Sequence, residues 1–184
     1  MSGMLRALCC LAGGFTLVGG PVASQQAPTP ADGFTVHVTA PHVVAGKVMG
    51  PYHHYCKVLS PEPVIQCLVY ASADSNARLE QVEYIVAKSI TRTGPVTRPD
   101  WNRNWHDHRQ EIATGRVQVH DLPPDQAKGV ADLVATTDGI IFHLWSHDAP
   151  VPSGNVIIAQ SVGHVSLSEA EFKKGALDKP PAKP

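Results

Sequence analysis

From Gly33 onward, hydrophobic and polar positions are set out as in strands. Phe34-Thr35-Val36-His37-Val38 alternates, and Val64-Ile65-Gln66-Cys67-Leu68-Val69-Tyr70 carries β-branched and aromatic residues at the same period. Successive side chains of a strand point to opposite faces, so both segments predict half-buried strands. Asp74-Ser75-Asn76 signals a turn. Leu79 to Val86 fits two periods: Val82, Tyr84 and Val86 alternate, while Leu79, Val82 and Val86 also share a helical face. A strand running into a short helix accommodates both. Thr93 to Asn104 contains Gly94, Pro95, Pro99 and Asp100 and reads as a loop. Trp105 to Ile112 predicts a strand, and a turn at Thr114-Gly115 leads to a second one, Arg116 to His120. The clearest helix is Pro124 to Thr136, with Pro in its first turn and Ala127, Val130, Ala131 and Val134 at helical spacing; Asp138-Gly139 ends it. Ile140 to Trp145 and Asn155 to Val162 read as strands around a Pro-rich loop, Ala149 to Gly154. Ser168 to Glu171 forms the pattern of a capping box opening a short helix. With no internal repeat and no linker in mid-chain, the simplest fold is α+β: a single domain, mostly antiparallel sheet, with one principal helix.

The two ends follow other patterns. Arg6, the short apolar run Ala7 to Val18 and the small residues Val22-Ala23-Ser24 have the form of a signal peptide, residues 1–24, cleaved after Ser24. The run is too short for a stable anchor, and no transmembrane segment is expected after signal removal. Residues 25–32 read as a flexible linker, 33–175 as the domain and 176–184 as a disordered Lys/Pro tail. These features predict a periplasmic or secreted protein. Two cysteines then remain, Cys56 and Cys67. They form a disulfide, or they are two buried thiols packing as small hydrophobes, and spacing alone leaves both open. The chain of 184 residues balances 15 Lys and Arg against 16 Asp and Glu, without a basic run. That argues against nucleic acid as a partner, since phosphate binding needs clustered cations. Nothing in the sequence sets the oligomeric state.

Ten histidines are the feature that points to chemistry. They concentrate in Tyr52-His53-His54-Tyr55-Cys56, in Trp105-His106-Asp107-His108-Arg109-Gln110-Glu111, and in Phe142-His143-Leu144-Trp145-Ser146-His147-Asp148. On a strand, residues i and i+2 share a face, so His106 and His108 can reach one cation. Neutral imidazole suits zinc, iron or copper, and Glu83 or Glu111 can complete the shell. His143 and His147 have helical spacing in a segment that reads as strand, which separates them. His37, His42, His120 and His164 lack such context and read as surface or packing residues. A cupin-type motif joins H-x-H to a later Glu, but Glu111 follows His108 one residue too soon and the flanking glycines are absent. No nucleophile elbow, phosphate loop, dinucleotide fingerprint or H-E-x-x-H occurs.

His53-His54-Tyr55-Cys56, Gln66 to Tyr70, Asn76-Ala77-Arg78-Leu79 and Val82-Glu83-Tyr84-Ile85 together resemble the oil body-associated proteins of plants and their microbial relatives. The resemblance runs on through Trp105, His106, His108, Glu111, Gly115, His143, Trp145, Asp148 and Pro152-Ser153-Gly154. It implies association with seed oil bodies and no known catalytic mechanism. It also implies that His53, His54, Glu83, His106, His108 and His143 act as one set, with Tyr84, Trp105, Glu111, Trp145 and Asp148 around it. Relatives that are not exported carry the positions of Cys56 and Cys67 as well, which the resemblance assigns to the site or the core.

Three functions compete at this level. One is a metal site, with or without catalysis. Another is a non-enzymatic module at a lipid surface, which needs an exposed apolar patch. The third is a structural domain with a buried histidine network.

Overall fold

The computed structural model describes residues 29–181, so the expected signal peptide, the first half of the linker and the last residues of the tail lie outside the described residues. The chain divides after Pro30, and the fold below is that of the unit beginning at Ala31. Strand β1 (Val36–Val44) turns into β2 (Lys47–Ser60), followed by β3 (Val64–Tyr70) and β4 (Leu79–Ala87). Short helices α1 (Lys88–Thr91) and α2 (Arg98–Asn104) come next, then β5 (His106–Asp107), α3 (His108–Ile112) and β6 (Gln118–Val119). Helix α4 (Pro124–Val134), strands β7 (Thr137–His143) and β8 (Ile157–Ser161), and α5 (Glu169–Gly175) complete the unit.

Every pairing is antiparallel. The order β2-β3-β4-β7-β8-β1 closes on itself because β1 also pairs with β2, giving a six-stranded barrel. β5 attaches to β7, and β6 to β1. Closure removes exposed strand edges. The expectation of one principal helix is corrected to several short ones, of which α4, with 11 residues, is the longest among the described residues.

The β1–β2 hairpin shows how local chemistry sets register. Val44 faces Lys47, and the two turn residues have positive φ, 48° at Ala45 and 79° at Gly46. Two such residues make the tight turn whose twist matches paired strands. Beyond it, alternate residues face inward. One row of partners runs Val36, Cys56, Cys67, Glu83, Ile141, Ala159 around the barrel, and the next runs Val38, His54, Val69, Gln81, His143, Ile157. Cys56 and Cys67 are direct partners, and their Sγ atoms form a disulfide at 2.01 Å. Tyr52, Cys56, Ile65, Cys67, Val69 and Ile85 pack as one apolar cluster, and Val44, Ile141 and Ala159 as a second.

Several local readings change. Thr93 to Asn104 is not all loop, because Thr97 caps α2 by accepting from the Asp100 N–H, and Pro99 sits in the first turn, where a missing N–H does no harm. Trp105 to Ile112 is not one strand, because Asp107 accepts from the Arg109 N–H and starts α3 after two strand residues. Asp138 and Gly139, read as a helix stop, are already inside β7. At α5 both halves of the Ser168–Glu171 capping box form. Trp101, Leu167 and Phe172 make a third apolar cluster linking α2 to α5, with Trp105 against it. In the segment expected as a disordered tail, Asp178 pairs with Lys88 at 3.2 Å and with Arg109 at 2.9 Å.

Candidate metal centre

Glu83 projects from β4 into the barrel and is 3% exposed. Three imidazoles converge on its carboxylate. His54 Nε2, from β2, lies 3.5 Å from Oε2; His106 Nε2, from β5, lies 3.2 Å from Oε1; His108 Nε2, at the start of α3, lies 3.3 Å from Oε1. Glu111, one helical turn after His108, brings its Oε2 to 3.9 Å from both His106 and His108 Nε2. All of these side chains are buried.

Counting protons shows which nitrogens face inward as lone pairs. His54 Nδ1 lies 3.1 Å from the Tyr52 carbonyl and 3.3 Å from that of Val38, so it donates. His108 Nδ1 faces the Thr137 carbonyl at 3.3 Å and Thr137 Oγ1 at 2.9 Å. That hydroxyl already donates to the Val134 carbonyl at 2.6 Å, so His108 Nδ1 is again the donor. A neutral imidazole has one N–H, so the Nε2 of both rings presents a lone pair to the Glu83 carboxylate. Acceptor against acceptor is repulsive, and positive charge must enter this cage as a proton or a cation. Burial opposes ionisation of Glu83, yet His106 and His108 hold its carboxyl well below the ordinary range. Burial also opposes protonation of His108, but Glu83, with Glu111 and Asp138, more than reverses that and raises its pKa.

His106 is only loosely held: despite its 3.2 Å approach to Glu83, neither of its ring nitrogens makes an aligned hydrogen bond. Its cross-strand partner is Gly139. A Cβ at Gly139 would lie 2.4 Å from His106 Nε2 and 2.5 Å from Glu83 Oε1, so glycine leaves the room in which these atoms meet. The intervening Asp107 points away into a buried ionic network. It pairs with Lys88 at 2.7 Å and Arg92 at 2.8 Å, and Arg92 also binds Asp138 at 2.6 Å. Anchoring Asp107 this way fixes the strand-to-helix junction that turns His106 and His108 together. Their rings meet edge to face at 4.8 Å.

The sequence reading missed His42. Strand β1 continues to Val44, and His42 has the parity of Val36, Val38 and Ala40, so it enters the barrel. Its Nε2 is 3.0 Å from His54 Nε2, and its Nδ1 is 2.6 Å from Gln81 Oε1. Burial, with His54 beside it, pushes its pKa down to about 3. Two sets of potential ligand atoms, each within 4.8 Å of one another, share Glu83: His42–His54–Glu83 and Glu83–His106–His108.

The other sequence candidates fall outside these sets. His53 has the opposite parity to His54 and contacts His37, Nδ1 to Nε2, at 3.0 Å. His143 is buried in the barrel opposite Gln81, and its Nδ1 has no partner. Tyr84 packs edge-on to Phe142, and Trp145 stacks on Arg78 and donates to the Ala149 carbonyl. Trp105 belongs to the α2–α5 cluster, and Asp148 is exposed.

A closed antiparallel barrel with a buried histidine–carboxylate cluster is the class of protein that fold and site define. Within it, the chain belongs to the family described as "Protein of unknown function (DUF1264)", whose model matches residues 28–177. It is 29% identical over 172 residues to Oil body-associated protein 1B of Arabidopsis thaliana, covering 88% of this chain and 70% of that protein. It is 33% identical over 97 residues to Oil body-associated protein 1A of Zea mays, covering 52% of this chain and 39% of the relative. For Oil body-associated protein 2A of Zea mays the figures are 34% over 96 residues, 52% and 36%. No solved structure matches. These relatives also correct the expected location: their names associate them with oil bodies, and the periplasmic or secreted reading is withdrawn.

Proposed function

We propose that the barrel is a metal-binding protein holding one divalent transition metal, zinc, iron or copper, on Nε2 of His106 and His108 and the Glu83 carboxylate, with His54 against the second carboxylate oxygen. The convergence of these nitrogens on Glu83 carries the reading. Ligand atoms placed tetrahedrally about 2.1 Å from a metal lie roughly 3.4 Å from each other. His106 and His108 Nε2 approach the same Glu83 oxygen, Oε1, at 3.2 and 3.3 Å, and the three ligand atoms lie within 4.8 Å of one another. Second, the Nδ1–H groups of His54 and His108 sit on carbonyl and hydroxyl acceptors, the arrangement that orients metal-binding imidazoles. Third, the unbonded His106 ring suits a cation better than a closed hydrogen-bond network. Glu111 stands ready as a further ligand, 3.9 Å from both rings, and His42 packs against His54. A metal with an open position in such a site supplies activation of water or oxygen.

Elemental analysis of untagged protein, beside the His106→Ala/His108→Ala variant, tests this. Near-stoichiometric metal in the parent and none in the variant is expected. A folded parent without metal, after exposure to each of the three ions, refutes it.

Association with a lipid surface is a second reading, supported by the names of the relatives. Helix α4 gives it no help, because Val130, Ala131, Leu133 and Val134 line a cavity against the barrel. Flotation with emulsified oil tests it, and protein left in the aqueous layer refutes it.

A further inference from the structure

Against the His54–Glu83–His108–Glu111 side of the cluster lies a cavity of about 190 Å³. Its other walls are aliphatic, from Val36 and Val38 on β1, Ile65 and Ile85 on β3 and β4, and Leu133 and Val134 on α4. No aromatic ring, hydroxyl, amide or cationic side chain lines it apart from the two histidines. A buried apolar space of about 150 Å³ stays dry and takes up hydrocarbon when offered it. This one is larger, and all its polarity is at one end.

We infer that the cavity binds an unbranched aliphatic molecule with a single neutral oxygen-bearing head, an alcohol or aldehyde, directed at the His54–Glu83–His108–Glu111 end. The inference rests on the metal reading for its head group and on the cavity alone for its chain. The shape of the lining selects the chain: valine, isoleucine and leucine offer dispersion contacts and no hydrogen bonds, so any polar group along the ligand would be buried unpaired. Charge selects the head. Glu83 and Glu111 already balance a divalent cation, and a carboxylate head would add a third negative charge beside two buried carboxylates. A neutral oxygen meets the metal without that cost.

The test is calorimetric titration of straight-chain primary alcohols, from butanol to dodecanol, into the metal-loaded and metal-free protein. Affinity should rise about fourfold per methylene until the cavity is full and then level off. Ala131→Phe, which fills the cavity from α4, should abolish binding while leaving metal content and Tm near those of the parent. Leu133→Ala, which enlarges it, should move the plateau to a longer alcohol. Affinity that is independent of chain length, or a plateau that does not move in Leu133→Ala, overturns the inference. Decanoate binding more tightly than decanol overturns the neutral head. Metal retained with no alcohol bound removes the ligand assignment and leaves the metal reading standing. Chain-length-dependent binding to a protein that takes up no metal does the reverse.

Discussion

Replacing Gly139 by alanine adds one methyl group at the point where β5 and β4 meet the site. The added Cβ would stand 2.4 Å from His106 Nε2, 2.5 Å from His106 Cε1 and 2.5 Å from Glu83 Oε1. Non-bonded carbon and nitrogen need well over 3 Å, so His106 or Glu83 must move by the better part of an ångström. Neither has free space, since His106 is fully buried and Glu83 is 3% exposed. Overpacking of this kind costs about 1–3 kcal/mol. The narrower unfolded ensemble of alanine returns about 0.4–1 kcal/mol. The net loss is roughly 1–2 kcal/mol, or about 2–8 °C in Tm for a domain of this size. Metal affinity should fall by at least tenfold, because the displaced ring is a proposed ligand. Gly129 is the control, exposed on α4 with nothing within 4 Å of an added Cβ. There alanine should stabilise by up to about 1 kcal/mol through helix propensity. Thermal unfolding of both variants, with and without added metal, reads the two signs together. A Gly139→Ala protein as stable as the parent, with the parent's metal-dependent rise in Tm, would refute the packing argument and the site built on it.

Other perturbations probe the supports. Thr137→Val removes the hydroxyl that accepts from His108 Nδ1 and should weaken metal binding about 10–100-fold with the fold intact; an unchanged affinity by competition titration sinks the orienting role. Asp138→Asn leaves the buried Arg92 short of a charge it now meets at 2.6 Å, and denaturant unfolding should show a loss of about 3–5 kcal/mol; a loss under 1 kcal/mol contradicts a structural network. Ala45→Asn places a residue suited to positive φ in the β1–β2 turn and should gain up to about 1 kcal/mol, with any loss in Tm counting against the turn assignment. His53→Ala, on the outer face of β2, should leave metal stoichiometry unchanged, and depletion would move the site outward.

How much of this was legible in the sequence varied with how local the cause is. β3 and the α5 capping box were read at their true positions because alternation and cap chemistry act within a few residues. Strand β2 went unread because its outward residues are polar and Gly50-Pro51 interrupts it; its length comes from pairing with β1 on one side and β3 on the other. His106 and His108 were rightly taken together, but by another geometry: Asp107 ends the strand and caps α3, so the pair straddles a junction. The same junction brings Glu111, expected in a supporting role, within 3.9 Å of both rings. His42 was passed over because the alternating pattern was followed only to Val38, short of the strand's inward parity. Exclusion of His53 and separation of His143 depend on barrel closure, a long-range event no local pattern carries. The disulfide was undecided for the same reason, since only the β2–β3 register places Cys56 opposite Cys67.

The central claim is that two imidazoles, His106 and His108, and the Glu83 carboxylate inside the barrel hold one cation. A crystal of metal-loaded protein, with anomalous data collected on both sides of the metal's absorption edge, tests it most directly. The account predicts a single strong peak bounded by Nε2 of His106 and His108 and the carboxylate of Glu83, within about 2.0–2.2 Å of each. A well-loaded crystal with no peak there, or with its peak at the outer His37–His53 pair, would contradict it.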